Sequence, residues 1–295
     1  MSKEEMKKRL EELVKIQKSN KVVKLLKIPH RILITEILKI IGYKFNKTFL
    51  LKTEMFWKDY MHILIPEKVS TSIYKYRFYE EGLTKMILNF LEPGMVFMDI
   101  GAHFGYYTSL SSKIVGDSGK VIAFEPTPSS FNILKMNSLR SKNIIVNNVA
   151  VGSRGSKILI NDYGVVYSAW NSVYSARLMP DIKIVNQFEI DVLSIDEYVD
   201  STNLIPNFIK IDAESYELEV LKGMQFTINR YKPIIAIEVC DVNIDGVCTT
   251  KEIINYMIER GYRPFEYRNG KISEHFIKET PYEYDNLLFL PNINK

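Results

Sequence analysis

Cysteine is nearly absent from this sequence of 295 residues. Only Cys240 and Cys248 occur, at a spacing that fits neither a disulfide framework nor a zinc motif, so reduced, buried thiols in a cytoplasmic protein are expected. Glycine and proline number 14 and 11, too few for a long disordered segment. Long apolar runs are also missing. The most apolar stretch, residues 22–41, is interrupted by Lys24, Lys27, Pro29, His30, Arg31, Glu36 and Lys39, which excludes a bilayer span. Residues 1–9 carry both charge signs with no apolar stretch behind them, so no signal peptide is expected. The net charge of +4 comes from lysines in the first sixty residues, and the mixed charge elsewhere leaves no nucleic-acid footprint. What is present, 46% hydrophobic and 25% charged residues, is a globular composition long enough for one catalytic domain with an N-terminal attachment.

Ser2 and Glu5 form a capping-box pair ahead of Met6, Leu10, Leu13 and Val14, which predicts an amphipathic first helix. A second helical pattern, 32–41, is closed by Gly42. Strand formers over 50–65, around Lys58 and Asp59, predict a hairpin, and a helix over 80–91 stops at Pro93-Gly94. A basic helical arm and lead-in hairpin thus occupy residues 1–78, ahead of a main domain over 79–295. From Met95 onward the pattern alternates. Strand candidates at 95–100, 120–125, 143–151, 208–212 and 234–239 are interleaved with helical stretches at 106–115, 214–221 and 251–260, which is the pattern of an α/β, Rossmann-like fold with helices on both faces of a mostly parallel sheet. Arg268-Asn269-Gly270-Lys271 predicts a hairpin turn, and the strand-like 286–290 an antiparallel addition. The long insertion at 162–187 breaks the alternation.

Met95 to Gly105 places an apolar strand, an acid and a glycine turn just before a helix. Gly101 permits a tight turn and close ligand approach; Gly105 lets the helix pack against the strand. A dinucleotide fingerprint would need glycine where His103 stands, because a pyrophosphate must meet the backbone there. That disfavours NAD. S-adenosylmethionine has no phosphate and carries a cationic sulfonium, an amino-acid tail and a ribose, so Asp99 suits it better. Phe124-Glu125-Pro126 ends the second strand, and Glu125 lies 26 residues beyond Asp99, where an acid can accept from ribose hydroxyls. Glu125 could equally cap the helix opening near Thr127.

Five segments together resemble the FkbM family of methyltransferases: Asp99-Ile100-Gly101-Ala102-His103-Phe104-Gly105-Tyr106, Ala123-Phe124-Glu125-Pro126, Asn148-Val149-Ala150-Val151-Gly152, Lys210-Ile211-Asp212-Ala213-Glu214-Ser215 with Glu217, and Leu221-Lys222-Gly223. They occur in family order over 79–241. The family often has Asn at the position of His103 and Gly-Ala at Ser215-Tyr216, so the bulk of Tyr216 bears on the substrate. The resemblance implies a seven-stranded sheet with one antiparallel strand, a cofactor site including Asp99, Gly101, Ala102, His103, Gly105, Tyr106, Glu125, Pro126 and Asp212, and adenine contacts from Asn147, Asn148 and Val149, any one of which could equally be a turn residue.

Methyl transfer needs donor and acceptor held in near-attack geometry, and a hydroxyl acceptor needs a base. Asp212 ends a buried strand and Glu214 is expected to begin the next helix, with Glu217 on the same face; these acids are candidates for base or substrate ligand, or simply favourable charges at a helix N-terminus. His103 is a further candidate base. The resemblance requires no metal; the alternative, Mg²⁺, would use Asp212 and Glu214 with Glu238 and Asp241. In the insertion, Tyr163, Tyr167, Trp170, Asn171, Tyr174 and Arg177 could stack on a sugar or polyketide ring, or serve packing and homodimer contacts. Trp170, Tyr216, Glu217 and Glu238 are the candidate substrate residues. The reading is O-methylation of a sugar hydroxyl on a glycan, glycolipid or secondary metabolite; methylation of a carboxylate or nitrogen and a non-catalytic binding module are the alternatives. The basic N-terminal helices could touch an anionic membrane or form a solvated cap.

Overall fold

A computed structural model describes residues 1–174 and 182–292. Helix α1 (Lys3–Lys18) starts at the capping box, with Ser2 and Glu5 exchanging hydrogen bonds as the spacing demands. Helices α2 (Lys21–Lys27) and α3 (Pro29–Phe45) follow. The stop expected at Gly42 is not used. A Cβ there would lie 2.9 Å from the Lys47 carbonyl oxygen and 3.0 Å from Pro66, so Gly42 serves close packing, and Asn46 at φ 48° ends the helix. Strands β1 (Phe49–Glu54) and β2 (Tyr60–Ile65) form the expected hairpin, followed by α4 (Lys68–Tyr76) and α5 (Glu81–Phe90).

The main domain alternates as its sequence predicts: β3 (Val96–Ile100), α6 (Tyr106–Val115), β4 (Lys120–Phe124), α7 (Pro128–Ser138), β5 (Ile144–Asn147). The single strand expected over 143–151 is two. After Asn147 the chain leaves the central sheet, pinned by the Asn148 amide donating to the carbonyls of Glu125 and Pro126, and β6 (Ala150–Val151) pairs elsewhere. It joins β7 (Ser156–Asp162) and β8 (Asn186–Leu193) in a separate three-stranded sheet. Then come α8 (Ile195–Thr202), β9 (Phe208–Ile211), α9 (Glu217–Lys222), α10 (Gln225–Tyr231), β10 (Ile234–Val239), α11 (Thr250–Glu259), β11 (Tyr262–Arg268), β12 (Lys271–Glu274) and β13 (Asp285–Pro291).

The central sheet has eight strands, not seven, in the order β12-β11-β13-β10-β9-β3-β4-β5. The additional strand is β12, folded back on β11 by Asn269 and Gly270 at φ 51° and 83°, the left-handed pair that a two-residue hairpin turn needs. Strands β5, β4, β3, β9 and β10 are parallel and β13 runs antiparallel between β10 and β11. The three-stranded sheet lies against α9 through a seam of two glycines. A Cβ on Gly223 would fall 1.9 Å from the Gly152 carbonyl oxygen.

Apolar side chains cover both faces of the sheet. On one face, Met6, Leu10 and Val14 of α1 and Phe56 and Trp57 of the hairpin share a continuous core with Leu88, Phe97, Tyr106 and Leu110. Trp57 is fully buried, edge-on to Phe56 at 4.9 Å and to Tyr106 at 5.3 Å. No helix among the described residues is long and apolar enough to cross a membrane. Because Trp57 ties the hairpin to α6, Trp57→Ala should cost about 3–5 kcal/mol, read as a lower urea midpoint with one cooperative transition; a near-neutral effect would show the hairpin to be an independent appendage.

Candidate functional site

The carboxyl ends of β3, β4, β9 and β10 open into a cavity of about 300 Å³. In parallel α/β sheets this is where ligands bind, because loops there diverge to either face. Gly101 takes φ 72° and donates its N–H to the Phe124 carbonyl at 3.0 Å, as Ala102 does. A Cβ at Gly101 would meet the Asp212 carbonyl oxygen at 1.7 Å, so the β3 and β9 loops close to this distance only around a glycine. His103, also left-handed at φ 49°, turns its N–H onto Glu125 Oε2 at 2.8 Å, and Glu125 Oε1 accepts from Thr127 N at 2.9 Å. The Thr127 side chain bonds the same carboxyl. Burial pushes this carboxyl up to about 7 against the pull of those two N–H groups.

In the cavity floor lies Lys210, 2% exposed and directly opposite Asp99 in the β3–β9 register. Its Nζ stands 3.6 Å from Asp99 Oδ1 and 3.1 Å from Asp212 Oδ2, and donates to the Gly101 carbonyl at 2.8 Å. Burial pulls this ammonium down, but Asp212 and Asp99 outweigh it and hold its proton more tightly than in water. Asp99 also accepts from the Thr108 hydroxyl, and burial raises it despite Lys210. Asp99 therefore acts beneath the cavity rather than in its wall, a correction to its expected place among the cofactor contacts.

Asp212, Glu214 and Glu238 each present an oxygen within 4.8 Å of the others, a spacing at which either shared protons or a hard divalent cation relieve repulsion. Burial, then the charge of Asp212, push Glu214 and Glu238 well above the carboxylate range. Glu80 stands close by, accepting from the hydroxyls of Tyr107 and Tyr284, and burial lifts it to about 7. Asp241 does not join this cluster; its oxygens accept the N–H groups of Thr250 and Tyr282.

Glu214 does not begin a helix. It and Ser215 sit at φ 50° and 79°, and α9 starts at Glu217. The Glu217 carboxylate folds back to accept from Ala213 N at 2.9 Å and Ser215 N at 3.2 Å, so it builds the loop and is not in the cavity wall as a substrate residue. Gly105 and Asn148 are likewise supports: a Cβ on Gly105 would lie 2.6 Å from Leu134, and Asn148 holds the β4 loop. Ala102, His103, Tyr106, Pro126 and Val149 do line the cavity. The His103 ring stacks on Phe104, bonds Ser168 Oγ at 2.8 Å through Nε2, and is pushed down by burial to about 3, too weak a base to hold a hydroxyl proton. It shapes the wall.

Trp170 and Tyr216 line the cavity as well. Trp170 belongs to a short 3₁₀ turn, Val165–Trp170, and Lys68 of α4 lies over its ring at 4.3 Å and over Tyr167 at 5.5 Å. Tyr163 is buried, the Asn171 side-chain oxygen accepts from Tyr163 N, and Tyr174 reaches the Gly246 carbonyl; Arg177 lies outside the described residues. Sequence reading assigned no role to Lys210, Lys68 or Glu80. For Lys210 a signal existed, since a lysine inside the apolar strand Phe208–Ile211 requires a buried acid beside it.

Residues 99–264, more than half of the chain, match the family model described as the Methyltransferase FkbM domain. The hexuronic acid methyltransferase AglP of Haloferax volcanii is 29% identical over 147 residues, which cover 49% of this chain and 56% of that protein. The chain thus spans little more than half the length of that relative. The crystal structure of Methyltransferase FkbM from Methylobacillus flagellatus KT is 17% identical, with a TM-score of 0.43, over 75% of this chain and 52% of the other. Aeropyrum pernix fibrillarin, solved with natively bound S-adenosyl-L-methionine, is 12% identical, with a TM-score of 0.41, over 68% and 67%.

Lys210→Met should leave Asp99 buried without a counter-charge and lower stability by about 3–5 kcal/mol in urea titration, while adding Asp99→Asn should recover a large part of the loss. Additive losses would show that the two do not act as a pair.

Proposed function

Because the chain belongs to the FkbM methyltransferase family, we propose that it methylates a sugar hydroxyl with S-adenosylmethionine as donor. The observation that carries the reading is the meeting, in one cavity, of the Gly101 to Glu125 cradle with the acids Asp212, Glu214 and Glu238. The cradle fits a nucleoside: the Glu125 carboxyl lies in the cavity wall at the end of β4, placed to accept from ribose hydroxyls. Val149 and Pro126 offer apolar surface for a base. The likeness to a hexuronic acid methyltransferase supports a sugar as acceptor, as does a wall of Trp170 and Tyr216, whose faces suit the C–H side of a pyranose.

S-adenosylmethionine, when bound, supplies a methyl group already activated by its positive sulfur. The chain's own task is to hold the acceptor in line and take its proton. Asp212, fixed by Lys210, faces the cavity as an oriented hydrogen-bond acceptor. Glu214 and Glu238, both held above the ordinary carboxylate range, are poised to receive the hydroxyl proton as the new oxygen–carbon bond forms.

A base with a raised pKa is protonated, and idle, at low pH. The methylation rate should therefore rise with pH through a midpoint above the usual carboxylate value of about 4.3. Glu214→Gln and Glu238→Gln should lower kcat by about 100-fold or more at unchanged affinity for S-adenosylmethionine, measured by calorimetry. Wild-type turnover in both would remove the acids from the chemistry. Glu125→Ala should instead weaken S-adenosylmethionine binding by about tenfold. Binding of NAD without S-adenosylmethionine would overturn the reading altogether.

A further inference from the structure

The three arm helices treat their apolar residues differently. Helix α1 buries Met6, Leu10 and Val14 against the domain, as an amphipathic helix does. Helix α2 buries nothing, and α3 buries only Thr35 and Gly42. Leu33, Ile37 and Ile40, spaced four and three apart on one face of α3, are 62%, 45% and 65% exposed. Leu26 of α2 is 76% exposed, and Val22 and Leu25 are open as well. Scattered exposed leucines are ordinary; a band along one helix face is not.

Charge accompanies the band. Residues 21–47 hold seven lysines and arginines against one acid, Glu36, a net +6 in a chain whose total is +4, so the remainder of the protein is slightly acidic. Glu36 is held by Lys39 and Lys75, and neutralises none of Lys21, Lys27, Lys44 and Lys47. An isologous contact between two copies through this face would set +6 against +6, which argues against self-association. An apolar face edged by lysines matches instead a surface that is apolar within and anionic at its rim.

We propose that α2 and α3 dock on an anionic lipid bilayer, with Leu26, Leu33, Ile37 and Ile40 entering the acyl boundary and the lysines meeting headgroup phosphates. The docking helices are fastened to the catalytic cavity. Arg31 donates to the Lys75 carbonyl at 2.9 Å and Glu36 pairs with Lys75 at 2.7 Å, which fixes α3 to α4, and Lys68 at the start of α4 lines the cavity. Docking does not depend on the reaction proposed above.

The test is co-sedimentation of the full chain with phosphatidylcholine vesicles and with vesicles in which a third of the lipid is phosphatidylglycerol. The wild type should partition onto the anionic vesicles about tenfold better than onto the neutral ones. Leu33→Glu with Ile37→Glu and Ile40→Glu should abolish pelleting, and Lys21→Gln with Lys27→Gln should weaken it several-fold; an unchanged circular dichroism spectrum checks the fold. The conservative lysine variant carries the test alone if the triple variant misfolds. Failure to pellet with anionic vesicles, or equal pelleting with both, overturns the proposal. So does a wild type that sediments as a dimer, binds no vesicle and becomes monomeric in the triple variant, because a second copy would then cover this face.

Discussion

One buried cation organises the centre of this molecule. Lys210 sits where two parallel strands end, with Asp99 beneath it and Asp212 above, and it also holds the Gly101 carbonyl. A charge so placed costs several kcal/mol to desolvate and is tolerated only with partners on both sides. It joins fold to function. The acid below it belongs to the core, the acid above it faces the cavity, and the carbonyl it holds belongs to the turn that forms the cradle. The raised carboxyls of Glu214 and Glu238 are connected to the same arrangement, since burial lifts them first and the charge of Asp212 lifts them further.

Much of this was legible in the sequence because the signals were local. The capping box at Ser2 and Glu5, the Asn269-Gly270 turn and the strand ending at Gly101 are each set by a few neighbouring residues, and the structure has all three. What the sequence concealed depends on contacts between distant segments. Gly42 reads as a helix stop until Lys47 and Pro66 are seen packed against it. Glu214 reads as the first residue of a helix, but Glu217 turns back to cap the preceding loop and moves the start by three residues. Lys68 has no motif at all; it matters only because α4 brings it over Trp170, a hundred residues along the chain.

The acids also divide by what satisfies them. Glu125, Glu217 and Asp241 have oxygens taken by backbone N–H groups, and such carboxylates build loops first. Glu214 and Glu238 stand instead among other carboxyls, where their protonation answers to whatever enters the cavity. Spacing along the chain could not separate the two groups, since both fall at strand ends.

The seam between Gly152 and Gly223 has a mechanical consequence. Backbone meets backbone there with no room for a side chain, so the three-stranded sheet and α9 are in rigid contact on that side of the cavity. At the Val165–Trp170 turn the closure is made by side chains instead: Lys68 rests on the Trp170 ring, the His103 ring meets the Ser168 hydroxyl, and the Asn171 amide donates to the Thr127 hydroxyl. The cavity is thus closed by backbone at one place and by side chains at another, and side chains can change rotamer where abutting backbones cannot.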